Sequence, residues 1–142
     1  GRRARRETPR KRVQMLVVLS RGEVLVEKRP PSGIWGGLWS LPEADVAADP
    51  ARTLRSEWGL AASSAEALPP FEHAFTHFTL EVTPWLLRPR TPAVLVQERQ
   101  ATWLPLSDLA GAALPSPVKK LLRSIAASSG TGAGRPAAAS RR

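Results

Sequence analysis

The sequence has 142 residues, is 42% hydrophobic, and carries 21 basic against 12 acidic side chains, for a formal charge of +9. That length suits one domain with a real core. The absence of cysteine excludes disulfides and thiolate metal sites, and the longest apolar run, residues 15–19, is far too short to span a bilayer.

The charge is carried by the two ends. Residues 1–12 hold seven basic groups and one acid, residues 129–142 add Arg135, Arg141 and Arg142, and the stretch between them balances at 11 basic against 11 acidic. Basic ends attract phosphate generally but read no base sequence. Residues 1–12 contain Pro9 and no apolar periodicity, so they are expected to be a basic interdomain linker. The Ala/Gly/Ser-rich residues 128–142 are expected to be a disordered tail, leaving 13–127 as the folded domain.

Residues 13–19 are aliphatic and β-branched, the pattern of a buried strand. Arg21 and Gly22 supply a turn into a second strand over 23–29, where Val24 and Val26 alternate against Glu27 and Pro30 ends the run. Residues 50–60 predict a short helix, with Pro50 in its first turn and Gly59 as its stop. Two strands follow, over 71–74 and 78–87, around a tight connection. In the second, Phe78, Leu80 and Val82 face one way and Thr79, Glu81 and Thr83 the other. Pro84 cannot donate to a ladder, so that strand should meet an edge or bulge there. A strand over 101–106 precedes the strongest helix, 117–127, with Ser116 as its cap and Val118, Leu121, Leu122, Ile125 and Ala126 on one stripe. Strands with interspersed helices in one mixed sheet predict the α/β class, as an α/β/α sandwich.

Two segments concentrate unusual residues. From Gly33 to Glu43 the chain packs three glycines, Trp35 and Trp39 into eleven positions. One reading is a corner whose indoles fill the core. The other is the start of a Nudix box, since Gly37 is followed by Glu43 after five residues, and the nine residues 52–60 align with the box helix. In that alignment two of the three metal-holding glutamates are replaced by Thr53 and Ser56, only Glu57 remains, and Arg55 adds a positive charge. A hard divalent cation needs several carboxylate oxygens, so the scaffold resembles Nudix while its catalytic equipment does not.

The second segment is Phe71-Glu72-His73-Ala74-Phe75-Thr76-His77-Phe78. Two imidazoles with no third ligand close in sequence make a poor metal site. The segment is similar to the His-x-Phe-Ser-His stretch in the C-terminal domains of MutY-type adenine DNA glycosylases, with Thr76 in place of serine. Residues 24–30 running into the Gly-Trp loop, residues 103–109, and the Leu-Pro-Ser-Pro stretch at 114–117 extend that resemblance over about 13–122.

The resemblance implies a Nudix-like domain that recognises 8-oxoguanine opposite adenine in duplex DNA. Excision and the iron–sulfur cluster would lie on an absent N-terminal domain of the same chain. It implies DNA-contacting Phe75, Thr76 and His77, supported by His73 and Trp35, with no catalytic residue, metal or cofactor in this part. It further implies base excision repair in the bacterial cytoplasm, at the nucleoid, with no membrane partner. A hydroxyl both donates and accepts hydrogen bonds, which suits a lesion that carries a proton on N7 and an oxygen on C8. In this reading Phe75 wedges or stacks beside the lesion, and His77 meets a phosphate or holds the loop. The alternatives are a Nudix nucleotide pyrophosphohydrolase and a protein-interaction domain on the same fold.

Overall fold

The computed structural model describes residues 8–90 and 99–132, the last four of these by backbone alone. Its strands are β1 (Arg10–Ser20), β2 (Glu23–Lys28), β3 (Trp39–Ser40), β4 (Glu43–Ala44), β5 (Ala62–Ala67), β6 (Phe71–Ala74), β7 (Thr79–Pro89) and β8 (Ala101–Pro105). Two α-helices, α1 (Pro50–Trp58) and α2 (Ser116–Gly132), and a 3₁₀ helix at Leu106–Gly111 complete it. The strand order is β3-β2-β1-β7-β5, with β4 on β1, β6 on β7 and β8 on β2. The sheet is mixed because β1 and β7 run parallel while the remaining pairs are antiparallel.

Side-chain alternation divides the core into two layers. Met15, Val17 and Leu19 of β1 join Val24, Val26, Leu80 and Val82 beneath Val118, Leu122 and Ile125 of α2. Leu16, Val18, Leu25 and Leu87 point the other way, onto Leu54 and Trp58 of α1. Where a strand is covered on both faces it has no polar side to show, and so residues 15–19 of β1 read as a continuous apolar run. Each fully buried aliphatic side chain of these layers contributes about 1.5–3 kcal/mol. One polar group is built into the second layer. Gln14 is 5% exposed, donates from Nε2 to the carbonyls of Asp45 and Ala48 at 2.7 Å each, and accepts from Trp85 Nε1 at 2.7 Å.

Local chemistry accounts for the ends of α1. Asp49 caps it by accepting from the Ala51 amide at 3.0 Å, Pro50 occupies the first turn, and Gly59 closes it at φ 70°, a left-handed conformation favoured in glycine. Arg21 and Gly22, at φ 54° and 77°, make the β1–β2 turn.

Three expectations need correction. The linker does not run to residue 12, because Arg10, Lys11 and Arg12 are the first residues of β1, paired with Thr79, Leu80 and Glu81. The tail does not begin at 128, because α2 continues to Gly132. Ser116 is the first helical residue rather than a cap, and the Pro115 carbonyl accepts the first helical bond from Lys119. The rest of the expected linker, 1–7, and of the expected tail, 133–142, lies outside the described residues. Pro84 sits in a central strand, at the point where β6, paired as far as Val82, gives way to β5, paired from Trp85. No ladder partner is therefore lost there, and the Pro84 carbonyl accepts from Leu68.

Candidate functional site

The β6–β7 hairpin brings together the residues of the second segment. Phe75 N–H donates to the Phe78 carbonyl at 2.8 Å, which closes a tight turn with Thr76 and His77 at its exposed tip. Strand parity sends Phe71, His73, Phe78 and Leu80 to the α2 face and Glu72 and Glu81 to the α1 face. On the α2 face the rings form a chain of contacts. Phe75 stacks on Phe78 with centroids 4.6 Å apart, His73 meets Phe75 edge-on at 4.8 Å, and Trp35 leans on both, 5.6 Å from Phe75 and 5.9 Å from His73. Tilted and offset ring pairs at these separations are favourable beyond the area they bury. All five expected residues thus meet in one place: Phe75, His73 and Trp35 as a half-buried base, Thr76 and His77 as its exposed end.

Trp35 reaches the hairpin because of the backbone around it. Its own φ is 54°, an uncommon conformation for a bulky residue. Gly36 beside it passes so close to the chain that a Cβ would lie 2.3 Å from the Pro31 carbonyl oxygen. The turn is held by Gly37 N–H to the Pro30 carbonyl at 3.1 Å and Leu38 N–H to the Trp35 carbonyl at 3.1 Å.

The same loop borders a second feature on the α1 face. Glu27, Lys28, Arg29, Gly37, Arg99 and Gln100 line a cleft of about 530 Å³. Arg29 pairs with Glu43 at 3.3 Å and Arg99 with Glu27 at 3.4 Å, and the Arg99 guanidinium lies 3.9 Å from the Trp58 ring centroid. Burial pushes both carboxyls above the ordinary 4.5, while Arg99 and Arg29 oppose the rise at Glu27 and Arg29 opposes it at Glu43.

A divalent cation of the kind the Nudix box holds does not fit here. Two of the box positions are Thr53 and Ser56, Glu57 is exposed, and the nearby half-buried carboxylates Glu27 and Glu43 are engaged by Arg99 and Arg29. Among the described residues no three carboxylate or imidazole side chains are grouped to hold a metal.

Several participants escape a sequence reading. Phe78 reads only as the start of a strand and Lys11 only as linker. Glu27 and Arg29 do leave a signal, since both are in phase with the inward-facing Leu25. Arg99 leaves none.

The domain model described as NUDIX domain matches residues 14–124, most of the chain. The chain belongs to the Nudix domain family. Solved structures with the same fold include the MutT protein of Methanosarcina mazei Go1, 18% identical, covering 88% of this chain and 99% of that one with a TM-score of 0.69. The MutT NUDIX hydrolase of Burkholderia pseudomallei is 20% identical and covers 82% and 98%, at 0.65. The C-terminal domain of mouse MUTYH, solved in complex with human PCNA, is 21% identical and covers 89% and 93%, at 0.62. At these identities the likeness establishes the Nudix fold and its mixed α/β sandwich. Among the described residues no helix is long and apolar enough to cross a membrane.

Proposed function

We propose that this Nudix domain recognises 8-oxoguanine opposite adenine in duplex DNA, as the C-terminal part of an A/G-specific adenine glycosylase. Adenine excision and the iron–sulfur cluster belong to an N-terminal domain of that same chain, and the domain described here is not itself an enzyme. The observation that carries the reading is the hairpin tip. An exposed threonine hydroxyl stands on a base of stacked rings, where rigid backing limits the ordering cost of contact with a base. In 8-oxoguanine N7 carries a proton and C8 an oxygen, whereas guanine N7 only accepts. Thr76 Oγ1 accepts from N7–H and donates to the C8 oxygen, Phe75 stacks or wedges beside the base, and His77 faces the backbone.

The test is binding of the chain to otherwise identical duplexes containing 8-oxoguanine:A or G:A, followed by fluorescence anisotropy. One lost base contact costs about 1–3 kcal/mol, so Thr76→Ala should lower the preference for the lesion by roughly ten- to a hundredfold. Thr76→Ser, which keeps the hydroxyl, should hold it. An unaltered ratio in Thr76→Ala together with a lowered melting temperature would make Thr76 a turn residue only.

A second reading, nucleotide hydrolysis, draws on the half-buried Glu27 that lines the cleft, on Glu43 paired with the cleft residue Arg29, and on the likeness to MutT structures. Turnover of a nucleoside triphosphate panel with Mg²⁺ or Mn²⁺, abolished by Glu57→Gln, would replace the first reading with this one.

A further inference from the structure

The three cations at the start of β1 do not play the same part. Strand alternation puts Arg10 and Arg12 on the α1 face and Lys11 on the α2 face. Glu72 and Glu81 are direct partners across the β6–β7 pair, a juxtaposition of like charges that is unfavourable by itself. Arg10 bridges them, donating from Nη1 to Glu72 at 2.7 Å and also to Glu81. Arg12 Nε adds a bond to the other Glu81 oxygen at 3.0 Å. These hydrogen bonds, Arg10's first, hold the Glu81 carboxyl below its ordinary range. Two guanidinium groups and two carboxylates close a neutral quartet, with little field left to offer a phosphate.

Lys11 has no carboxylate partner among the described residues. Its Nζ lies 4.6 Å from the centroid of Phe78, the ring stacked on Phe75. The exposed ammonium therefore sits on the outer end of the aromatic base that carries Thr76. The parallel pairing of β1 and β7 fixes this position: Lys11 is opposite Leu80, and Thr79 N–H donates to the Pro9 carbonyl at 2.9 Å. An exposed cation–π contact is weak, so the ammonium can turn from the ring to an anion at small cost.

We propose that Lys11 is a DNA-phosphate contact that registers the duplex backbone against the Thr76 tip, whereas Arg10 and Arg12 are internal counter-ions of Glu72 and Glu81. The proposal rests on the duplex-recognition reading. Each phosphate neutralised by a cation contributes about 0.9 to the slope of log affinity against log salt. Losing Lys11 should therefore remove about one unit of slope. Between 50 and 200 mM salt (concentrations of the assay) the affinity of Lys11→Met should fall by roughly three- to fourfold less than that of the wild type.

The experiment measures that slope by anisotropy for the wild type, Lys11→Met, Lys11→Arg and Arg12→Met, with melting temperatures alongside. Lys11→Met should flatten the slope and Lys11→Arg restore it, while Arg12→Met, with the same change of net charge, should leave it near the wild type. Equal flattening by Lys11→Met and Arg12→Met would mean a diffuse field and overturn the proposal. An unchanged slope in Lys11→Met, with the wild type binding normally, would overturn it and leave the Thr76 reading standing. Absence of salt-dependent binding by the wild type would overturn both.

Discussion

Replacing Gly36 with alanine should unseat the loop that presents Trp35. The new Cβ would lie 2.3 Å from the Pro31 carbonyl oxygen, 2.8 Å from its carbon and 3.1 Å from the Pro30 oxygen. All three are backbone atoms, so no side-chain rotation can relieve the contact. Ordinary contact begins near 3.4 Å, and the two strands of the loop must part by about an ångström. Gly37 N–H then loses its bond to the Pro30 carbonyl, now 3.1 Å long, and Trp35 draws back from Phe75 and His73. Overpacking of this kind costs about 1–3 kcal/mol, which for a domain of this size lowers the melting temperature by on the order of 10 °C. Gly111→Ala is the matched control, because a Cβ there meets nothing within 4 Å. Calorimetry of the two variants decides the matter, and equal melting temperatures would refute the account of the loop. If the hairpin reads DNA, Gly36→Ala should also reduce lesion preference without touching Thr76.

Two further outcomes are expected. Trp85→Phe removes the indole N–H that Gln14 Oε1 accepts at 2.7 Å and leaves a buried acceptor unpaired, for a loss of about 1–3 kcal/mol. Denaturant titration measures it, and a loss within experimental error would sink the argument. Glu43→Gln tests the half-buried carboxyl that pairs with Arg29. Because burial raises its folded value above the ordinary 4.5, its stabilisation is complete below the unfolded value and is lost as pH rises through the folded one. The stability of the wild type relative to Glu43→Gln should therefore decline as pH climbs upward from about 4.5; a difference independent of pH would contradict it.

Pattern alone exposed most of the sheet. Residues 71–74 are β6 as expected, and Phe71–Ala74 and Thr79–Pro89 flank the tight turn that their spacing suggested. Gly59 ends α1, and the Val118–Leu122–Ile125 stripe packs where helical periodicity directs it. The short β3 and β4, two residues each, left no alternation to read. The exposed β5, Ala62–Ala67, carries small and polar residues with no apolar face, and its pairing with β7 is what makes it a strand. Arg10 to Arg12 looked like linker for a related reason: solvated charge hides strand periodicity, and only the backbone ladder to Thr79–Glu81 reveals it.

The sequence by itself determined the α/β class and the strands that flank the hairpin, because these follow from local periodicity and from turn chemistry within a few residues. Phe75, Thr76, His77, His73 and Trp35 were implied as one group only by the family resemblance, and the contact of Trp35 with the hairpin is a product of the fold. What tertiary structure decided was charge. Arg29 meets Glu43 fourteen positions away, Arg99 meets Glu27 across 72, and Arg10 meets Glu81 across 71. Electrostatic energy depends on distance in space and on burial, neither of which is written in the order of residues. A basic segment that looks uniform along the chain is therefore divided by the fold, two of its cations neutralised on one face and one left beside the aromatic base on the other.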